Sequence, residues 1–362
     1  MQLTKIPWCD HTFNPWTGCG HVSAGCDNCY AAAQSRRFGR DFSQRVRTSE
    51  RNWKEPLKWN KKAKDWSDRN GEICADCGSK NCSSWKGHWP LHCTDCKSEK
   101  RSRVANPLVF CGSMCEWLGD LIRLIHATPN LNWLLLTKRP EAWLQRMGDT
   151  FARLLLRGAD TLKLVAWRDG NPPPNVWIGT TVENQEMADK RIPELLKIPA
   201  VGRFLSCEPL LGEVDLSRYH IGWHHCADCG HVSDPHEDIP LGSEIPCWKC
   251  SNIGSTEIGG HHLHWVICGG ESGHNARPMH PDWPRGLRDQ CELAEIPFFF
   301  KQWGTWHPLG TTDGRQELPF GSYELPSPEW PSGRGFFKKR KGEAHALLDG
   351  TEHKHFPKGL QK

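Results

Sequence analysis

Short apolar runs, each closed by polar or glycine-rich residues, recur along the chain and are followed by segments whose apolar positions have helical spacing. The runs are Trp8 to Phe13, Leu108 to Ser113, Trp133 to Pro140, Val176 to Asn184, Arg203 to Pro209, His264 to Ser272 and Pro297 to Trp303. Near-continuous apolar stretches of about four to six residues, rather than strict alternation, are the pattern of parallel strands buried on both faces. Helical periodicity follows at Glu116 to His126, at Trp143 to Leu156, and from the fourth run through Leu196. The pattern predicts an α/β chain forming a complete or partial TIM-like (βα) barrel. Ser113, Lys138, Arg139, Glu183, Asn184, Glu208, Glu271 and Lys301 all fall where an apolar run ends. In a βα barrel that end carries the active-site loops, so these residues are candidates for chemistry. Any one of them alone could equally cap a helix or meet water.

One stretch near the start breaks the pattern: Asn14-Pro-Trp-Thr-Gly-Cys19-Gly-His-Val-Ser-Ala-Gly-Cys26-Asp-Asn-Cys29-Tyr30. Its glycines and proline keep the backbone out of regular structure, and Tyr30-Ala-Ala-Ala starts a helix. Three thiols spaced C-x6-C-x2-C can converge on one inorganic centre. Three thiolates leave one iron of a cubane iron-sulfur cluster open for a substrate, whereas structural zinc takes a fourth Cys or His. Cys9 and His21 are the fourth ligands available to a zinc knuckle.

Two further segments interrupt the barrel pattern. Residues 60–103 carry Cys74, Cys77, Cys93 and Cys96, and residues 220–262 carry Cys226, Cys229, Cys247 and Cys250. Paired C-x2-C knuckles at this separation match zinc-ribbon spacing, each knuckle offering two thiolates to one face of a tetrahedral ion. Such short polar inserts draw their folding free energy from the metal. The divisions that follow are 1–59 for the cysteine loop and the start of the barrel, 60–103 and 220–262 for the zinc insertions, 104–219 and 263–306 for the rest of the barrel, and 307–362 for a Gly- and Pro-rich tail with the basic run Lys338-Lys-Arg-Lys341.

Eighteen cysteines, many in C-x2-C pairs, point to metal in a reducing compartment rather than to disulfides. No apolar run approaches the roughly 20 residues of a spanning helix, and the first residues lack the apolar core of a signal peptide. A cytoplasmic, soluble protein is the expectation. A net charge of +4 permits a polyanionic partner without requiring one. The 19 tryptophans serve cores first and base-stacking second. No P-loop and no G-x-G-x-x-G after a strand is present, so nucleotide-triphosphate and nicotinamide chemistry gain no support.

Asn14-Pro-x-Thr-Gly-Cys19, Gly25-Cys-Asp-Asn-Cys-Tyr30, Leu136-Thr-Lys-Arg-Pro140, Gly179-Thr-Thr-Val-Glu-Asn184, Ser206-Cys-Glu-Pro-Leu-Leu-Gly212, Val266-Ile-Cys-Gly-Gly-Glu-Ser-Gly273, Ala276-Arg-Pro-Met279, Phe299-Phe-Lys-Gln-Trp-Gly304 and Leu347-Leu-Asp-Gly350 resemble an uncharacterised phage-type three-cysteine-motif family. Its members occur in phages and bacteria, sometimes near a three-Cys-motif partner protein. That family in turn resembles the radical S-adenosylmethionine (SAM) superfamily, whose commonest cysteine spacing is three residues shorter than the one here. The resemblance implies a barrel of the radical SAM type, a [4Fe-4S] cluster on Cys19, Cys26 and Cys29, and a bacterial, phage-encoded setting; the two zinc-ribbon insertions, read from their spacing, lie outside the family pattern and would adapt this member to its own partner. It also implies that SAM, chelated on the open iron, is cleaved to a 5′-deoxyadenosyl radical. Tyr30, Ser113, Thr137, Lys138, Gly179 and Glu183 would then flank cluster and SAM, while Arg139, Glu208, Glu271 and Lys301 would address the substrate, with Lys138, Glu208, Glu271 and Lys301 as the catalytic candidates.

The resulting expectation is a radical SAM-like enzyme modifying a nucleic acid or a nucleotide-derived substrate, with SAM, a [4Fe-4S] cluster and two structural Zn2+ ions as cofactors. A non-catalytic, zinc-stapled protein binding nucleic acid or a partner is the alternative. A metal-dependent nuclease using Glu183, Glu208 and Glu271 ranks last.

Overall fold

The computed structural model describes residues 4, 6–70, 72–74, 101–103, 106–112, 118–220, 224–226, 232–233, 256–258, 263–308, 336–338, 346–358 and 360. Seven strands form one sheet: β1 (His11–Phe13), β2 (Leu108–Gly112), β3 (Asn132–Thr137), β4 (Val176–Thr181), β5 (Gly202–Cys207), β6 (Trp265–Gly269) and β7 (Phe298–Gln302). Their spatial order is their chain order and every neighbouring pair is parallel. The sheet curls into a half-barrel, which is the partial form of the expected architecture. All seven apolar runs became strands, because residues apolar on both sides can be buried only inside a covered parallel sheet.

The helices α1 (Tyr30–Arg37), α2 (Leu118–His126), α3 (Trp143–Leu156), α4 (Gln185–Leu196) and α5 (Asp282–Leu293) follow β1, β2, β3, β4 and β6. In α2 the residues Leu118, Leu121, Ile122 and Ile125 are buried, an i, i+3, i+4, i+7 stripe laid against the sheet. Asn184 caps α4 by accepting from the Met187 N–H at 3.0 Å. The main core joins α2, α3, α4 and α5 to the strand residues of one face of the sheet, among them Val109, Trp133, Leu135, Ile178, Leu205, Cys207, Val266, Cys268 and Phe300.

The opposite face of the sheet carries a smaller aromatic cluster of Leu108, Leu134, Trp177, Phe204, Trp265 and Phe299, closed by Trp8, Cys9 and Leu360. Trp265 lies edge-on to Phe299 and Trp8, with centroids 6.2 Å away in both cases. Residues expected to belong to a tail therefore complete the core. Phe356 packs 5.3 Å from Trp265, Phe299 bridges to Lys354, Leu348 is fully buried, and Asp349 is paired with Arg285 and Arg288 at 2.7 and 2.8 Å. An aromatic half-barrel face left uncovered would be a large apolar patch, and Phe356 and Leu360 pack against it, while Leu348 joins the main core on the helix side.

In the two insertions, the backbone of Glu72–Cys74 pairs with Arg101–Arg103, and that of His224–Cys226 with Val232–Ser233 and Thr256–Ile258. The proposed ligands Cys77, Cys93, Cys96, Cys229, Cys247 and Cys250, the side chains of Cys74 and Cys226, and Ser113 lie outside the described residues.

Candidate functional site

The cysteine stretch leaves the C-terminal end of β1 and crosses the mouth of the sheet before entering α1. Gly18 has φ +91° and its missing Cβ would sit 1.9 Å from the Gln44 carbonyl oxygen, so a side chain at this point would break the loop. At Gly25 a Cβ would lie 2.9 Å from both Glu183 Oε1 and Lys138 Nζ, so a side chain there would displace these two groups from the loop. Cys19 is exposed, Cys26 and Cys29 are half-buried, and none of the three is in a disulfide. The Cys29 N–H donates to the Cys26 carbonyl at 3.3 Å, which places these two in one turn.

Two polar clamps hold the loop. On one side Glu183 is fully buried; it accepts from the Ser23 hydroxyl and, at 3.4 Å, from the Gly25 N–H. Its other oxygen pairs at 2.7 Å with Arg191 of α4, itself 2% exposed, which also donates to the Thr181 carbonyl at 2.8 Å. On the other side Glu271, from the glycine-rich loop after β6, accepts from Asn28 Nδ2 at 3.0 Å and from the Arg277 N–H, Nε and guanidinium at 2.8 to 2.9 Å. Arg277 reaches back to the Ala24 carbonyl at 2.8 Å and to Asp27 at 3.1 Å. Burial alone would raise the Glu271 pKa, but the Arg277 and Asn28 hydrogen bonds outweigh it and hold the carboxyl below its ordinary range.

Lys138 extends from the end of β3 and donates to Cys26 Sγ at 3.4 Å. Partial burial would push the Cys26 thiol up. Backbone hydrogen bonds from Val22 and Ser23 and the Lys138 ammonium overcome it, and the net shift is downward. A thiol that ionises readily is a better nucleophile and a better metal ligand.

Beside the loop a cleft of about 550 Å³ opens over the ends of β2, β3 and β4. Gly112, Leu136, Thr137 and Thr181 form its strand-end floor, Cys19 and Tyr30 one wall, and Lys138 and Arg139 another. Arg139 leans over the loop, 3.0 Å from where a Gly20 Cβ would stand.

Several expected site residues thus converge: Cys19, Cys26, Cys29, Tyr30, Thr137, Lys138 and Glu183 surround the loop and cleft. Gly179 does not reach it, since the Phe204 ring fills the space of its side chain, 2.5 Å from an ideal Cβ. Glu208 and Lys301 pair with each other across β6. Each carboxylate of the nuclease reading is thus tied to its own cation. Cys9 packs in the aromatic cluster just before β1, remote from the loop that follows this strand, and His21 pairs with Asp27 at 2.8 Å. Among the described residues no three or more His, Cys, Asp or Glu side chains stand close enough to hold a metal ion. The donor chemistry fits a cluster, with three free thiols on one loop and one of them acidified.

The clamps were missed in the sequence. Arg277 sits in the Ala276-Arg-Pro-Met279 motif, whose placement next to Gly269-Gly-Glu-Ser-Gly273 hinted at a link. Nothing marks Arg191, a polar residue in an ordinary amphipathic helix. No helix among the described residues is long and apolar enough to cross a membrane. No curated protein and no solved structure matches the chain. A family model does match, over residues 3–357, so the chain belongs to the family described as "Protein of unknown function (DUF5131)".

Proposed function

We propose that the chain is an iron-sulfur enzyme of the radical SAM type acting on a nucleic acid or nucleotide-derived substrate. One observation carries the reading: three free thiols lie on the loop after the first strand, at the C-terminal mouth of a parallel curled sheet, with a lysine against one of them and a cleft alongside. Cys19, Cys26 and Cys29 would hold a [4Fe-4S] cluster, which when bound supplies the single electron that cleaves SAM and starts hydrogen abstraction. The chain's own part is positional. The Glu183 and Glu271 clamps fix the loop from both sides, Lys138 favours the thiolate of Cys26, and Thr137 and Thr181 offer hydroxyls on the cleft floor. Glu208 and Lys301 supply a neutralised pair at the far strand ends. The zinc ribbons, a three-Cys-motif partner protein and a cytoplasmic, phage-encoded setting belong to the same reading.

Reconstitution with iron and sulfide under strict exclusion of oxygen tests it. The expected product is brown, absorbs near ~400 nm and carries about four irons per chain beyond any zinc. Incubated with SAM and a reductant, it releases 5′-deoxyadenosine. A colourless protein containing zinc alone sinks the proposal and leaves the zinc-stapled binding protein.

A further inference from the structure

The cleft beside the cysteine loop has a charge pattern that the cluster does not account for. Five cations line it, Arg40, Arg45, Lys138, Arg139 and Arg146, and no Asp or Glu is among its described lining residues. Lys138 is engaged with Cys26, but the four guanidiniums form no ion pair with any described residue. Elsewhere, Arg47, Arg123, Arg168, Arg191, Arg277, Arg285 and Arg288 have carboxylate partners, while Arg36, Arg37, Arg51, Arg153 and Arg157 form no ion pair among the described residues, so what sets the cleft apart is the gathering of four such guanidiniums with no described carboxylate among them. Like charges gathered around a concave surface repel one another and concentrate anions there. The helix α1 adds a second anomaly, because none of its residues is buried. Tyr30, Ala31, Gln34, Ser35 and Phe38 turn toward the cleft, Tyr30 and Phe38 are 77% and 62% exposed, and the Arg40 guanidinium stands 5.9 Å from the Phe38 ring centroid. Guanidinium forks suit phosphate oxygens, and exposed rings beside them suit the face of a base.

We propose that this cleft holds a nucleotide unit, with its phosphate on Arg40, Arg45, Arg139 and Arg146 and its base against Tyr30 and Phe38. The proposal deepens the reading of a nucleotide-derived substrate and rests on that part of it, not on the cluster. A free nucleotide and a single strand present the same chemistry, and affinity separates them.

The test is fluorescence anisotropy of the full-length protein with labelled single-stranded DNA and RNA of about 12 nucleotides, over a range of salt, with unlabelled nucleoside monophosphates as competitors. Arg40→Gln with Arg146→Gln weakens binding about tenfold and lowers the slope of log affinity against log salt by roughly 1.4, since each phosphate contact on a single strand contributes roughly 0.7. Tyr30→Ala weakens binding about tenfold with the salt slope unchanged. Arg153→Gln with Arg157→Gln removes the same charge outside the cleft and changes neither. Competition by a monophosphate supports the proposal and identifies the free nucleotide; strand binding without such competition supports it and identifies the strand. Absence of binding by both at low salt, or equal losses for the two arginine pairs, overturns it. Retention of binding after Cys19, Cys26 and Cys29 are all replaced by Ser, in protein that takes up no iron, leaves this proposal standing while the cluster is lost.

Discussion

Two sets of cysteines in this fold share a residue type and little else. Cys207 and Cys268 sit side by side on β5 and β6 beneath α5, which contributes Cys291. Burial pushes the Cys291 thiol up to about 12, and burial together with neighbouring thiols drives Cys207 and Cys268 further in the same direction. They are small hydrophobes that never ionise. Cys19, Cys26 and Cys29 stand at the mouth of the same sheet, on a segment held by hydrogen bonds and ion pairs instead of apolar contact, and at Cys26 the shift is reversed. The sheet interior suppresses thiol chemistry. Of these two sets, it is the one on the loop, tied down by polar groups and reached by Lys138, where that chemistry is permitted.

That contrast breaks most visibly under substitution. Replacing Cys19, Cys26 or Cys29 singly with Ser should abolish iron uptake on anaerobic reconstitution, while melting temperature changes little. Cys207→Ser should do the reverse. It keeps the full iron content but buries a hydroxyl in an apolar site, at a cost of about 1–3 kcal/mol read from denaturant unfolding. Equal iron loss in both would mean that the metal is not confined to the loop.

The next largest effect tests whether polar clamps carry the loop. Glu183→Gln leaves Arg191 charged and unpaired at 2% exposure, which should cost about 3–5 kcal/mol in urea unfolding. Adding Arg191→Met removes the stranded charge and should recover most of that loss. If the double variant is no more stable than Glu183→Gln, the ion pair is not what holds Ser23 and Gly25 in place.

How much of this was legible in the sequence follows from the kind of force involved. The seven strands and the span Trp143–Leu156 were readable because apolar burial leaves a periodic trace over many residues, and binary pattern carries fold class. The site was legible in its clustering but not in its roles. Glu183 closes an apolar run as a candidate ligand would, yet its partners lie 160 residues back at Ser23 and eight ahead at Arg191, a pairing that only the fold creates. Gly179 matched a motif but is small because Phe204 fills its space from the neighbouring strand. The arginine-lined cleft was invisible for the same reason. Its cations come from the loop after α1, the turn after β3 and the first turns of α3, and no window of sequence holds them together.

Lys138→Met sharpens the contrast at a single sulfur. Lys138 stabilises the Cys26 thiolate, so its removal should move the midpoint of the pH profile for Cys26 alkylation to higher pH. Lys138→Arg should restore most of the original profile, because the charge is kept. Cys207 and Cys268, which do not touch Lys138, should remain unreactive in native protein across the same range.

The smallest effect concerns the second clamp and depends on pH. The folded Glu271 carboxyl titrates below its unfolded value of about 4.3, because Arg277 and Asn28 hydrogen-bond the charged form more strongly than burial disfavours it. A carboxyl lowered in this way contributes stability that is fully present above the unfolded value and is lost as pH falls through the folded one. Arg277 is 34% exposed, and water screens it, so the contribution should be only about 1 kcal/mol. Melting temperatures of wild type and Glu271→Gln should therefore differ most at neutral pH and converge below about pH 4. A gap that persists unchanged at pH 3 would mean that Glu271 grips Arg277 and Asn28 by hydrogen-bond geometry alone. The charge of the clamp would then be incidental to how it holds Asp27 and Asn28 beside the thiols.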